Sequence, residues 1–118
     1  MALPLRYRLK RKKDIETVFR SGRRRGGVGF RLFFYPNTEG HARFAFVISK
    51  KTARKAVDRN RIRRRITGWI QTENTLLEAP FDIICIVSPH AFTFHRKELY
   101  DDLQKHFHLP HHALPNSA

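Results

Sequence analysis

The chain has 118 residues and a mass of 14.0 kDa, and it carries 24 Lys+Arg against 10 Asp+Glu, a formal charge of +14 with a pI near 11.1. That length suits one domain around one core, and 41% hydrophobic residues, including 10 Phe, exclude disorder throughout. Cys85 is the only cysteine, which excludes an intramolecular disulfide and a thiolate-rich zinc site and indicates a reducing compartment, with the cytoplasm as the default.

No apolar run reaches the roughly 18 residues of a membrane span, and residues 1–8 lack the apolar core of a secretory signal. The charge is uneven. Residues 1–65 hold 21 basic and 4 acidic side chains, a net +17, and the remainder holds 3 and 6, a net −3. A field of that kind attracts polyanions with a salt-sensitive affinity, so the first half is the expected binding half. The apolar stripes are better used on a core than on a membrane surface.

In chain order, residues 1–13 are basic, contain Pro4 and read as an irregular arm over the surface. Ile15, Val18 and Phe19 fall at i, i+3 and i+4 and predict a short helix over 12–21 with Gly22 as its stop. Residues 23–29 are a Gly/Arg stretch with room for a short edge strand. Residues 30–35 read as a strand before a Pro36-Asn37 turn, and residues 43–49 as a second strand, with Phe44, Phe46 and Ile48 alternating against Ala45 and Val47. These two strands are expected to pair as an antiparallel hairpin across residues 36–40.

Residues 53–72 predict a helix whose apolar stripe is Ile62, Ile66, Trp69 and Ile70, with Arg61, Arg64 and Arg65 on the opposite side at about 100° per residue. Asp58 suits a cap or a charge near the helix start, which would move that start toward Val57. After a connector at 78–80, residues 82–88 are nearly continuous apolar, as in a strand covered on both faces, and complete a βαβ unit. A last helix is expected over 94–107, with Leu99, Leu103 and Phe107 inward and Asp101 and Asp102 outward. The organisation is an arm (1–8), one α+β domain (9–107) and a His/Pro-containing tail (108–118) expected to be mobile. His106, His108, His111 and His112 could suggest zinc, but a mobile tail is the plainer account.

Chemistry concentrates in residues 50–65, where Lys50, Lys51, Arg54, Lys55, Arg59, Asn60, Arg61, Arg63, Arg64 and Arg65 crowd together. Guanidinium forks bind phosphate bidentately at any working pH, and several on one helix follow a nucleic-acid backbone. A solvated basic face without a partner is the bland alternative, weakened by the repulsion that like charges at i, i+3 and i+4 impose on a helix. The carboxylates Asp14, Glu16, Asp58 and Asp82 are scattered, so the residues offer no catalytic or metal-binding set within the protein. Read from residue type alone, Phe19 and Phe33 are core-packing candidates first.

Ser49-Lys50-Lys51 followed by A-V-x-R-N-R-I-x-R-R (residues 56–65) resembles the signature of the bacterial ribonuclease P protein subunit. The opening L-x-x-x-x-D-I-x-x-V-F-R-x-G-R (residues 9–23), F-x-F-V-I-S-K-K (residues 44–51) and D-I-I (residues 82–84) extend the resemblance to about residues 9–107. It implies a single-domain α/β sandwich in the order αβββαβα with a left-handed βαβ crossover, against the general preference for right-handed connections. It also implies an accessory to a catalytic RNA that removes the 5′ leader of precursor tRNA with Mg²⁺ held mainly by RNA, the protein alone being inactive.

By position, the basic residues of 50–65 would meet the catalytic RNA, while Ile15, Phe19 and Phe33, with Arg11 and Lys12, would meet the leader. Aromatic faces stack on unpaired bases with little sequence preference. Ile15 stands where the family suggests an aromatic, and Thr67 where it often has a basic residue. The expected partners are the catalytic RNA and precursor tRNA, with one monomer per RNA, no membrane and a cytoplasmic setting. The rivals are a ribosomal-type RNA-binding protein without selectivity for a leader, and a self-sufficient metal-dependent nuclease.

Overall fold

The computed structural model describes residues 3–27 and 29–107, so the expectations for the tail, including those for His108, His111 and His112, lie outside the described residues. The elements are α1 (Lys12–Ser21), β1 (Arg23–Gly26), β2 (Phe30–Pro36), β3 (Arg43–Val47), α2 (Ala56–Gln71), α3 (Asn74–Glu78), β4 (Phe81–Val87) and α4 (Arg96–His106). Single 3-10 turns stand at Leu5–Tyr7 and Pro89–Thr93. This is the α+β class expected, with one short helix, α3, beyond the expected order.

The sheet order is β1-β2-β4-β3. β2 runs antiparallel to β1 and β4, and β3 runs parallel to β4, so the βαβ unit of β3, α2 and β4 is present. The expected hairpin between β2 and β3 is corrected: β4 lies between them. Two features account for this. β4 is apolar on both faces and gains most from a neighbour on each side. The segment after β2 is also tied to the approach to β4, with Asn37 N donating to Pro80 O at 2.9 Å and Ala42 N to Leu77 O at 2.9 Å. β2 instead forms its hairpin with the arginine-rich edge strand β1.

Alternation along the strands makes two different faces. On one, Phe30, Leu32, Phe34, Phe44, Ile83, Cys85 and Val87 meet Ile62, Ile66 and Ile70 of α2 and Leu99 and Leu103 of α4 in the main core. On the other, Phe33 and Ile84 meet Leu9 and Val18 in a small second core under α1. α1 approaches β2 so closely at its end that a Cβ on Gly22 would lie 2.4 Å from Val18 O and 2.9 Å from Phe34 O, which requires glycine there.

The arm is docked on the domain. Leu3 and Leu9 are buried, Arg8 bridges Phe44 in parallel, and Leu9 N donates to Phe44 O at 2.8 Å, so described residues 3–9 dock along the β3 edge. Two apolar side chains in a basic segment suffice to anchor it. α2 begins at Ala56 with Lys55 as its N-cap and no side-chain cap bond, so Asp58 lies in the first turn and does not cap. α4 begins at Arg96, where Glu98 accepts a hydrogen bond from His95 N at 2.9 Å.

Candidate nucleic-acid interface

The Lys50-Lys51 turn of the basic loop between β3 and α2 is held in shape by two uncharged neighbours. The Ser49 and Thr52 hydroxyls lie 2.9 Å apart, and Thr52 N donates to Ser49 Oγ at 3.1 Å. Thr52 N and Ala53 N both reach Ser49 O at 3.1 Å. The turn projects Lys50 and Lys51 into solvent. Arg59 reaches back from α2 and donates through Nη1 to Ala53 O at 2.7 Å and Arg54 O at 2.9 Å. Arg59, expected as an RNA contact, is therefore also the clamp that closes the loop bearing Arg54 and Lys55. Thr52 was not singled out from sequence, and Ser49 only as the first residue of the Ser49-Lys50-Lys51 signature. The signal was there in a Ser/Thr pair three residues apart around two lysines.

The arginines of α2 do not form one comb. Asn60, Arg63, Arg64 and Thr67 turn toward a cleft of about 630 Å³ at the β3 edge, whose other walls are Leu3, Arg8, Leu9 and Lys10 of the arm, Ile15 of α1, and Phe44, Ala45 and Phe46 of β3. Arg63 Nη1 donates to Asn60 Oδ1 at 2.9 Å, which fixes the guanidinium along the wall. Arg64 is exposed, and its guanidinium makes no hydrogen bond or ion pair among the described residues.

Arg61 and Arg65 lie along another side, near Asp58, Ala91, Phe92 and Phe94, and Arg61 is paired with Asp58 at 2.5 Å. Arg65 is half-buried and flanks the apolar stripe, so its expected position opposite that stripe is corrected. The reason is angular: three residues beyond Ile62 is about 300°, only about 60° off the stripe. Thr67 is buried, and its hydroxyl donates to Arg64 O at 3.1 Å.

The residues expected at a leader divide among three places. Ile15 lines the cleft with Asn60, Arg63 and Arg64. Phe19 and Phe33 form an edge-on pair with ring centroids 5.0 Å apart on the α1 side of the sheet. Phe33 is buried at 5% exposure, and the Arg24 guanidinium lies 5.5 Å from its ring centroid, so Phe19, at 36%, is the ring that solvent reaches. Arg11 lines a polar recess with Asp14, Tyr35, Asn37, Arg43 and Asp82, while Lys12 is exposed at the start of α1.

The carboxylates beside α1 and the sheet serve an arginine. Asp82, 4% exposed, receives Arg43 Nε and Nη2 at 2.8 Å each and Asn37 Nδ2 at 2.8 Å, and Asp14 stands 3.5 Å from Arg43. Hydrogen bonding to Asp82 raises the Arg43 pKa above its ordinary value, so this guanidinium stays charged. Burial pushes the Cys85 thiol up, away from the thiolate form that reacts or binds metal. Among the described residues, no three His, Cys, Asp or Glu side chains gather as a metal set, and no helix is long and apolar enough to cross a membrane.

A family model described as Ribonuclease P matches residues 3–110. The chain is 32% identical over 114 residues to the ribonuclease P protein component of Lactobacillus delbrueckii subsp. bulgaricus, covering 93% of each. It is 29% identical over 108 residues to that of Synechocystis sp., covering 91% of this chain and 87% of the relative. The solved RNase P protein of Staphylococcus aureus superposes with a TM-score of 0.76 at 27% identity, over 84% of this chain and 90% of that one. The RNase P protein of Thermotoga maritima shares the fold, with a TM-score of 0.74 at 20% identity over 83% and 92% of the two chains.

Proposed function

The chain belongs to the ribonuclease P protein family, and from that premise we propose that it is the protein subunit that helps a catalytic RNA remove the 5′ leader from precursor tRNA. One observation supports the reading above the others. A pinned cationic loop and helix stand at one edge of a sheet whose α1-side face is only partly covered and carries a solvent-reached phenylalanine. The loop and α2 suit a folded RNA backbone, through Lys50, Lys51, Arg54, Lys55, Arg63 and Arg64. The cleft at Ile15 and the face at Phe19 suit an unpaired strand.

Within that reading the protein contributes position and charge. Arginines between two polyanions relieve their repulsion, so precursor docks at lower Mg²⁺, and the leader gives precursor an advantage over mature tRNA. The protein's side chains do not fit a resident Mg²⁺, because the interface is cationic and Asp14, Asp58 and Asp82 all have arginine partners. The ion is assigned to RNA phosphates, and the bond-breaking step to the RNA. One monomer per catalytic RNA, working in the cytoplasm, completes the proposal.

The test is cleavage of a precursor tRNA at low Mg²⁺ by a bacterial ribonuclease P RNA, with and without this protein, beside a protein-only control. Strong stimulation with an inactive control, impaired by Arg63→Ala with Arg64→Ala, is the expected result. Salt-sensitive RNA binding without stimulation would favour a ribosomal-type role, and cleavage by protein with Mg²⁺ alone would overturn the mechanism.

A further inference from the structure

The α1-side face of the sheet is not covered from end to end. In register across the strands, Arg31 pairs with Ile86 and Ile86 with Val47, a row beyond the Phe33–Ile84–Ala45 row that borders the second core. Arg31 is exposed, Ile86 is half-buried and Val47 is 39% exposed. Two residues past the end of β3 the chain enters the Lys50-Lys51 turn, so the row leads from that turn across an apolar floor to Arg31. Three strand spacings separate the β3 and β1 edges, roughly 14 Å.

Arg24 belongs to the same surface. Its register partner is Phe33, so it projects to the α1 side, where its guanidinium lies over the Phe33 ring that Phe19 meets edge-on. Arg31 is its diagonal neighbour, a separation of about 7–8 Å between such positions. Arginine on an edge strand also discourages strand addition. That role needs no particular face, and it does not account for a second arginine on β2, an inner strand. Neither Arg24 nor Arg31 makes an ion pair among the described residues.

We propose that Arg24 and Arg31 form a phosphate-binding exit to this strip, gripping the backbone of single-stranded RNA after its bases have passed Phe19 and the Ile86–Val47 floor. The inference rests on the proposed leader-binding function and deepens it. A strip with apolar floor and cations at both ends is complementary to a strand that offers bases on one side and phosphates on the other. It also makes the protein's contribution depend on leader length, since a leader too short to cross the strip never reaches the exit.

The experiment measures affinity of the reconstituted holoenzyme for precursor tRNAs with leaders from one to about ten nucleotides, at several salt concentrations. Wild type is compared with Arg24→Gln/Arg31→Gln and with Arg24→Lys/Arg31→Lys. The expected result is a wild-type affinity that rises with leader length to a plateau. The Gln pair should lose about tenfold at long leaders. Its salt slope should fall by about 1.4, the value for two single-strand phosphates, and the Lys pair should keep most of that slope. Affinity for one-nucleotide leaders and for the catalytic RNA should not change.

Equal losses at all leader lengths, or loss of catalytic-RNA affinity, would overturn the exit by assigning these arginines elsewhere. So would an unchanged plateau in the Gln pair. A wild-type affinity independent of leader length would overturn the leader-binding function itself, a failure distinguishable from the others because it appears without any substitution.

Discussion

The two faces of the sheet are built to different standards. The face under α2 and α4 is sealed: Leu32, Phe34, Ile83, Cys85, Ile66 and Ile70 are at most 2% exposed. The face under α1 is closed only where Val18, Phe33 and Ile84 meet, and beyond them it leaves Phe19, Ile86, Val47, Arg24 and Arg31 within reach of solvent. A single ten-residue helix cannot cover a four-stranded sheet. On the proposed function, stability and recognition are separated across one layer of backbone, so substitutions on the two sides should fail in different ways.

The largest effect belongs to the sealed face. Ile66→Ala, at a residue with no exposure, should cost about 3–4 kcal/mol by transfer and cavity terms, read in urea unfolding as a lower midpoint with an unchanged slope. Next is the ion pair at the other end of the sheet. Asp82→Ala leaves the half-buried Arg43 without its bidentate partner and should cost about 3 kcal/mol. Replacing Asp82 and Arg43 together with apolar residues should recover part of that loss in a double-mutant cycle. Modification of Cys85 by a thiol reagent should follow global unfolding, since burial holds the thiol protonated and out of reach. Fast labelling of native protein would show that the sealed face opens.

Smaller effects mark the open side and the basic helix. Phe19→Ala should cost only about 1 kcal/mol of stability, since the ring is partly exposed and loses chiefly its contact with Phe33. Arg64→Ala should change stability by no more than about 0.5 kcal/mol while flattening the salt dependence of RNA binding by about one phosphate. An unfolding loss at Arg64 comparable to that at Ile66 would erase the distinction between the regions.

Much of this was legible from residue order. The stripes at Ile15/Val18 and at Ile62/Ile66/Ile70 give α1 and α2, and the apolar run after Asp82 gives the most buried strand, because periodicity and burial report directly on packing. The pairing of β2 with β4 was not legible. Adjacency in sequence favours a β2–β3 hairpin, and only the hydrogen bonds from Asn37 to Pro80 and from Ala42 to Leu77 of α3 show why β4 intervenes.

The site divided in the same way. The basic residues of 50–65 announce themselves by charge, but their division between the cleft and the opposite side of α2 depends on angles of a few tens of degrees. The arm's contribution through Leu3, Arg8 and Leu9 depends on a docking that composition alone hides. Ile15 and Phe19 share one stripe of α1: Ile15 packs against the second core and borders the cleft, and Phe19, one turn on, meets Phe33.

The most direct test of the separation is the ratio of precursor to mature tRNA affinity for a holoenzyme carrying Phe19→Ala, measured beside the thermal midpoint of the free protein. The account predicts that the ratio falls by about tenfold, the value of one stacked base, while mature tRNA affinity stays as in wild type and the midpoint drops by only a few degrees. An unchanged ratio, or equal weakening of both substrates with a collapsed midpoint, would show that Phe19 belongs to the fold and that the open face does not read the leader.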